Sequence, residues 1–134
     1  MKTIVAAALL GVTGSPAWSC EPGLAGDNVM RIDSARYSVA LRSRPARIAV
    51  SEYFALDIAA CGKNGAAAPA LSRLDAHMPA HRHGMNYAPR IRSTAPGRWQ
   101  ADGLLFHMPG LWELRVDLRA AGVTERLTYN YRLE

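Results

Sequence analysis

Seven side chains able to bind a soft metal ion crowd into two short stretches, His77-Met78-Pro79-Ala80-His81-Arg82-His83-Gly84-Met85 and His107-Met108. All four histidines of the chain lie here, with three of the four methionines that follow Met1. Imidazole mixed with thioether suits copper, Cu(I) above all, because an uncharged sulfur discriminates against the harder divalent ions. A lone His or Met on a strand is usually packing or solvent-facing. It is the confinement of every histidine to residues 77–107 that makes these stretches a candidate copper site.

Side chains two apart on an extended segment share a face, so His81, His83 and Met85 are expected to project to one side with Cα atoms about 6.5–7 Å apart. Gly84 lets the backbone bend between the last two and helps them converge. His107-Met108 precede Pro109-Gly110, a turn signal. If that turn lies at the same end of the fold as residues 81–85, the two stretches together supply three or four ligands. His77 has the opposite alternation and precedes Pro79, which makes it either a bystander or an outer ligand, and Met78 is a further candidate. Asp75 and Glu113 flank the stretches; a carboxylate accepting from a ligand's Nδ1–H would fix its tautomer, although such residues are more often solvated strand positions. Trp99 and Trp112 flank the second stretch, and their default role is to anchor the core, one on each facing strand.

The elements that would position these residues are strands. Period-two alternation dominates from Tyr37 onward and helical spacing is hard to find. Tyr37-Val39-Leu41, Phe54-Leu56-Ile58-Ala60, Trp112-Leu114-Val116-Leu118 and Leu127-Tyr129-Tyr131-Leu133 each alternate with polar or small residues. The last two read as a hairpin across Ala120-Ala121-Gly122. Less regular strands are expected over 71–78, 85–91 and 97–106, with a Gly- and Ala-rich loop over 62–69. About seven short antiparallel strands predict an all-β, immunoglobulin-like sandwich, with a small closed barrel as the alternative. A site built on loops at one end of a sandwich leaves the apolar core undisturbed.

The N-terminus places this chemistry. Met1-Lys2-Thr3 gives a short positive start, Ile4 to Val12 an apolar stretch, and Ala17-Trp18-Ser19 a small-x-small cleavage site, so residues 1–19 read as a secretory signal peptide. The apolar run is too short to span a bilayer and no second candidate follows, which predicts a periplasmic protein without a transmembrane segment in its mature form. Lipidation of Cys20 is disfavoured because Ala17-Trp18-Ser19-Cys20 matches a lipobox poorly. Residues 20–134 then form a single domain. Cys20 and Cys61, the only cysteines, are expected to pair as a disulfide; thiolate ligation is the weaker alternative, since neither has a His or Met close by. The net charge of +5 is carried almost wholly by arginines scattered along the strands. That distribution is a solvated surface and gives no nucleic-acid interface.

Two motifs carry a family resemblance. Asp75-Ala76-x-Met78-Pro79-x-His81-x-His83-Gly84-Met85-Asn86-Tyr87, followed by Gly103-Leu104-Leu105-Phe106-His107-Met108-Pro109-Gly110-x-Trp112, resembles exported members of the FixH/YtkA-like domain family. These are small immunoglobulin-like β-sandwiches associated with copper handling or respiratory-oxidase assembly. The resemblance covers most of residues 50–134. It implies His81, His83, Met85, His107 and Met108 as ligands, with Met78 as a further one. The chain departs from membrane-anchored FixH proteins in its cleavable signal and lack of a retained transmembrane helix, which weakens the oxidase-assembly role.

Three function classes follow. The first is a periplasmic copper-binding protein, a carrier, buffer or metallochaperone that exchanges copper in either oxidation state with a donating or receiving envelope protein. The second is an enzyme, and the expectation is that it is not one: no histidine becomes the mature first residue, as a copper oxygenase with a histidine brace requires, and neither His-Glu-x-x-His nor Gly-x-Ser-x-Gly occurs. The third is a metal-free envelope interaction module or an oxidase-assembly factor, binding its partner by an edge strand or loop face.

Overall fold

The computed structural model describes residues 22–134. The expected signal peptide and Cys20 lie outside the described residues. Nine strands and no helix make up what is described. One sheet contains β1 (Val29–Asp33), β2 (Tyr37–Arg44), β3 (Tyr53–Gly62), β7 (Arg98–Leu105) and β6 (Arg90–Ala95), in the order β1-β2-β3-β7-β6. The other contains β5 (His83–Gly84), β4 (Ala70–Met78), β8 (Gly110–Ala120) and β9 (Val123–Leu133), in the order β5-β4-β8-β9. Every pairing is antiparallel, and the two sheets form a β-sandwich.

Strand alternation decides which side chains meet between the sheets. Val39 and Leu41, Leu56 and Ile58, Leu74 and Ala76, and Trp112, Leu114, Val116 and Leu118 are all buried there. Each large aliphatic side chain so buried contributes about 1.5–3 kcal/mol. The β8–β9 hairpin closes through Ala121 and Gly122, both at positive φ (49° and 77°). Two successive residues of that kind give the loop whose twist matches its strands.

The strand count departs from about seven for identifiable reasons. β1 pairs with β2 through Met30 opposite Leu41 and Ile32 opposite Val39, a two-residue apolar face too short to stand out in the sequence. The strand expected over 85–91 starts later, at Arg90, and all six of its residues are exposed, so β6 has no buried face to set an alternation. In β7 the register against β3 shifts, with Phe54 opposite Leu104 but Leu56 opposite Ala101. Gly103 takes up the extra residue at φ 84°, so Ala101 and Leu104 both point inward despite their odd spacing. Before β1 the chain crosses the outer face of the larger sheet, where Leu24 packs on Ala40 and Ala59 and its carbonyl accepts from Arg31 Nη2 at 3.2 Å.

Candidate metal centre

β4 and β5 form a short hairpin in which Met78 lies opposite His83 and His77 opposite Gly84. Pro79 cannot extend the ladder and four residues, Pro79 to Arg82, make the turn, with Arg82 at φ 54°. The His81 amide donates to the Met78 carbonyl across it at 3.2 Å. Because Met78 points into the sandwich, its register partner His83 lies on that same side. The Met85 amide donates to the Ala76 carbonyl at 3.2 Å, which continues the pairing and keeps Met85 on the face of His83.

The expected shared face therefore holds for His83 and Met85 and not for His81, which is in the turn. His81 nonetheless comes alongside, its ring stacked beside that of His83 at 5.6 Å between centres. The second stretch arrives on the β7–β8 loop. Phe106 is buried there, and its carbonyl accepts from the Ser51 amide at 2.8 Å. The next residue, His107, lies with its ring centre 4.9 Å from that of His83. Met85 and Met108 are both half-buried against the edge of the core.

Under these rings lies Trp112. It is fully buried, stacked on Phe106 at 4.5 Å, and meets His107 at 5.4 Å and His83 at 6.0 Å edge-on. Its indole N–H donates to the Met108 carbonyl at 3.0 Å. The sequence gives Trp112 a core role by default and leaves an indole edge near the candidate site conceivable without pointing to it; the structure shows both the core packing and the ring contacts. The signal was available in the alternation, since Trp112 is the first inward position of β8 after His107-Met108-Pro109-Gly110.

His77 and Met78 go elsewhere. His77 projects from the outer face of the smaller sheet, where the Arg115 guanidinium bonds its Nε2 and Glu113 Oε1 lies 3.6 Å from its Nδ1. Met78 is a core side chain with 1% of its surface exposed, and its methyl group fills the space a Cβ on Gly110 would need. Glu113 accepts from Arg115 at 2.8 Å and Asp75 from Arg73 at 2.7 Å, so both carboxylates are taken up by arginines of their own sheet.

The side chains left on the inner side of this end are His83, Met85, His107 and Met108, with His81 in the turn. The His83 and His107 rings, 4.9 Å apart at their centres and tilted by 36°, are in direct packing contact. His107 Nδ1 is buried and has no hydrogen-bond partner among the described residues. His77 Nδ1, on the outer face of the smaller sheet, is in the same state. Among the described residues no three His, Cys, Asp or Glu side chains are poised around one point. The imidazoles that meet here are His83 and His107, with His81 beside His83, and each of the two segments carries a half-buried methionine, Met85 and Met108. Comparison with known protein families, curated proteins and solved structures found no match to this chain.

Proposed function

We propose that this chain is an exported copper-binding protein, a carrier, buffer or metallochaperone rather than an enzyme. The observation that carries the reading is the meeting of His83, on β5, and His107, on the β7–β8 loop, with ring centres 4.9 Å apart, in two segments that also carry the half-buried Met85 and Met108. The resemblance of the two motifs to FixH/YtkA-like domains points the same way. The immunoglobulin-like character of the sandwich belongs to the proposal as well, supported by the order β2-β3-β7-β6 against β4-β8-β9; it bears on the fold and not on copper. A site at the rim of a sandwich, open to ligand exchange, loads and unloads metal without any substrate-processing group. Its partners are the copper ion and an envelope protein that gives or takes it.

The Cys20–Cys61 disulfide belongs to the same proposal. Its support is that Pro22, two residues after Cys20 in the sequence, lines one cleft together with Cys61. The test of function is metal content. Protein exported with its own leader from copper-supplemented cells and purified without chelators should carry about one copper per chain. Metal-free protein from such cells would overturn the reading and favour an interaction module, for which the exposed edge strand β6 is the docking element.

A further inference from the structure

We infer that the ion this site selects is Cu(I), and that Trp112 is the positioning residue behind the preference because it holds Met108 at the mouth; this rests on the copper reading above. Trp112 touches both halves of the site. Its ring meets His83 of the β4–β5 hairpin and His107 of the β7–β8 loop, while its indole N–H fixes the Met108 carbonyl at 3.0 Å. Stacked on Phe106 and fully buried, it has no room to turn. The hydrogen bond therefore ties the backbone bearing the Met108 sulfur to the most rigid part of the core.

The surroundings argue for a singly charged ion. His83, His107, Met85 and Met108 offer nitrogen and sulfur without charge, and the flanking acids Asp75 and Glu113 are engaged by Arg73 and Arg115. With Asp75 and Glu113 engaged by arginines, and with thioethers among the candidate donors, the balance moves to Cu(I). Loss of the Met108 sulfur would remove part of that preference, because Cu(II) gains little from it.

The test is Trp112→Phe, which keeps a flat apolar ring and removes the N–H. Affinity for Cu(I), measured by competition with a Cu(I) chelator under anaerobic conditions, should fall about three- to tenfold, the worth of one hydrogen bond. Affinity for Cu(II) should stay within about twofold, since imidazole supplies most of its binding. In a double-mutant cycle, Trp112→Phe and Met108→Leu should be non-additive for Cu(I), because the second change removes the sulfur that the first releases. Equal losses for both oxidation states, or full additivity, would assign Trp112 a merely structural role and overturn the inference. If Trp112→Phe loses its β circular dichroism, benzothienylalanine at position 112 preserves the shape without the donor and carries the same expectation. Wild-type protein that binds no copper would overturn the underlying reading; wild-type binding of Cu(I) with an unchanged variant would overturn the role of Trp112 alone.

Discussion

His83 is the side chain on which the ring contacts converge: it stacks beside His81, tilts against His107 and meets Trp112 edge-on. His81 has only the contact to His83 among these rings. Replacing His83 by Ala should thus weaken Cu(I) by more than about 100-fold, whereas His81→Ala should cost about tenfold or less, in the range of groups that orient a ligand. Chelator competition on the two variants would show it, and equal losses would put His81 on the ion. Met85→Ala and Met108→Ala should each weaken Cu(I) more than Cu(II); losses of equal size in the same titrations would make the methionines packing residues. The sequence grouped these side chains by type and spacing, and its alternation already set His77 apart. It did not reveal that Met78 belongs to the core, because an inward Met and a ligand Met share one strand parity. Its burial, with 1% of its surface exposed, and the approach of its Cε to Gly110 place it in the core.

The elements that aim these residues are held by a small number of specific interactions. Across β8 and β9, the Arg126 guanidinium donates twice to the Asp117 carboxylate, at 2.7 and 2.8 Å, and holds that carboxyl below the usual range although burial opposes it. A carboxyl held low in the fold adds stability above its unfolded pKa of about 3.9, and the contribution is lost as pH falls through the folded value. Arg126 is half-exposed, which limits the gain. Asp117→Asn should therefore cost about 1–2 kcal/mol at neutral pH, with the gap to the parent closing below about pH 4 in urea titrations; a constant gap down to about pH 2.5 would contradict it. At the start of β8, Gly110 adopts φ 127°, which L side chains rarely do, and Gly110→Ala should destabilise by about 1–3 kcal/mol while disturbing Met78 beneath the hairpin. Strands with one buried face, such as β2, β3, β8 and β9, were legible from period two. β6 was not, for want of any buried face, and the two-residue β5 exists only because the turn after Pro79 returns the chain to β4.

Taken as a unit, the described chain is one sandwich whose core runs unbroken between its sheets and up to the end where the β4–β5 hairpin and the β7–β8 loop meet. The N-terminal segment across the larger sheet brings Pro22 to the cleft that Cys61 lines; on the proposed pairing, protein recovered from an oxidising compartment should contain no alkylatable thiol before reduction and two after it. Closing the chain there should add roughly 3–4 kcal/mol, read as a lower urea midpoint for Cys61→Ser. Two exposed alkylatable thiols in non-reducing mass spectrometry would contradict the pairing. The architecture was readable at the level of an all-β sandwich because several long strands shared one alternation. The juxtaposition of the two loops was not, since nothing in residues 77–85 or 107–108 states which end of the sandwich each occupies until β4 and β8 are seen side by side. That juxtaposition is best tested by anaerobic equilibrium dialysis of the wild type and of the His83→Ala/His107→Ala double variant against Cu(I) buffered by a competing chelator. One tightly held Cu(I) per wild-type chain, absent from a double variant with unchanged β circular dichroism, is the expected result; stoichiometric copper retained by the double variant would contradict it.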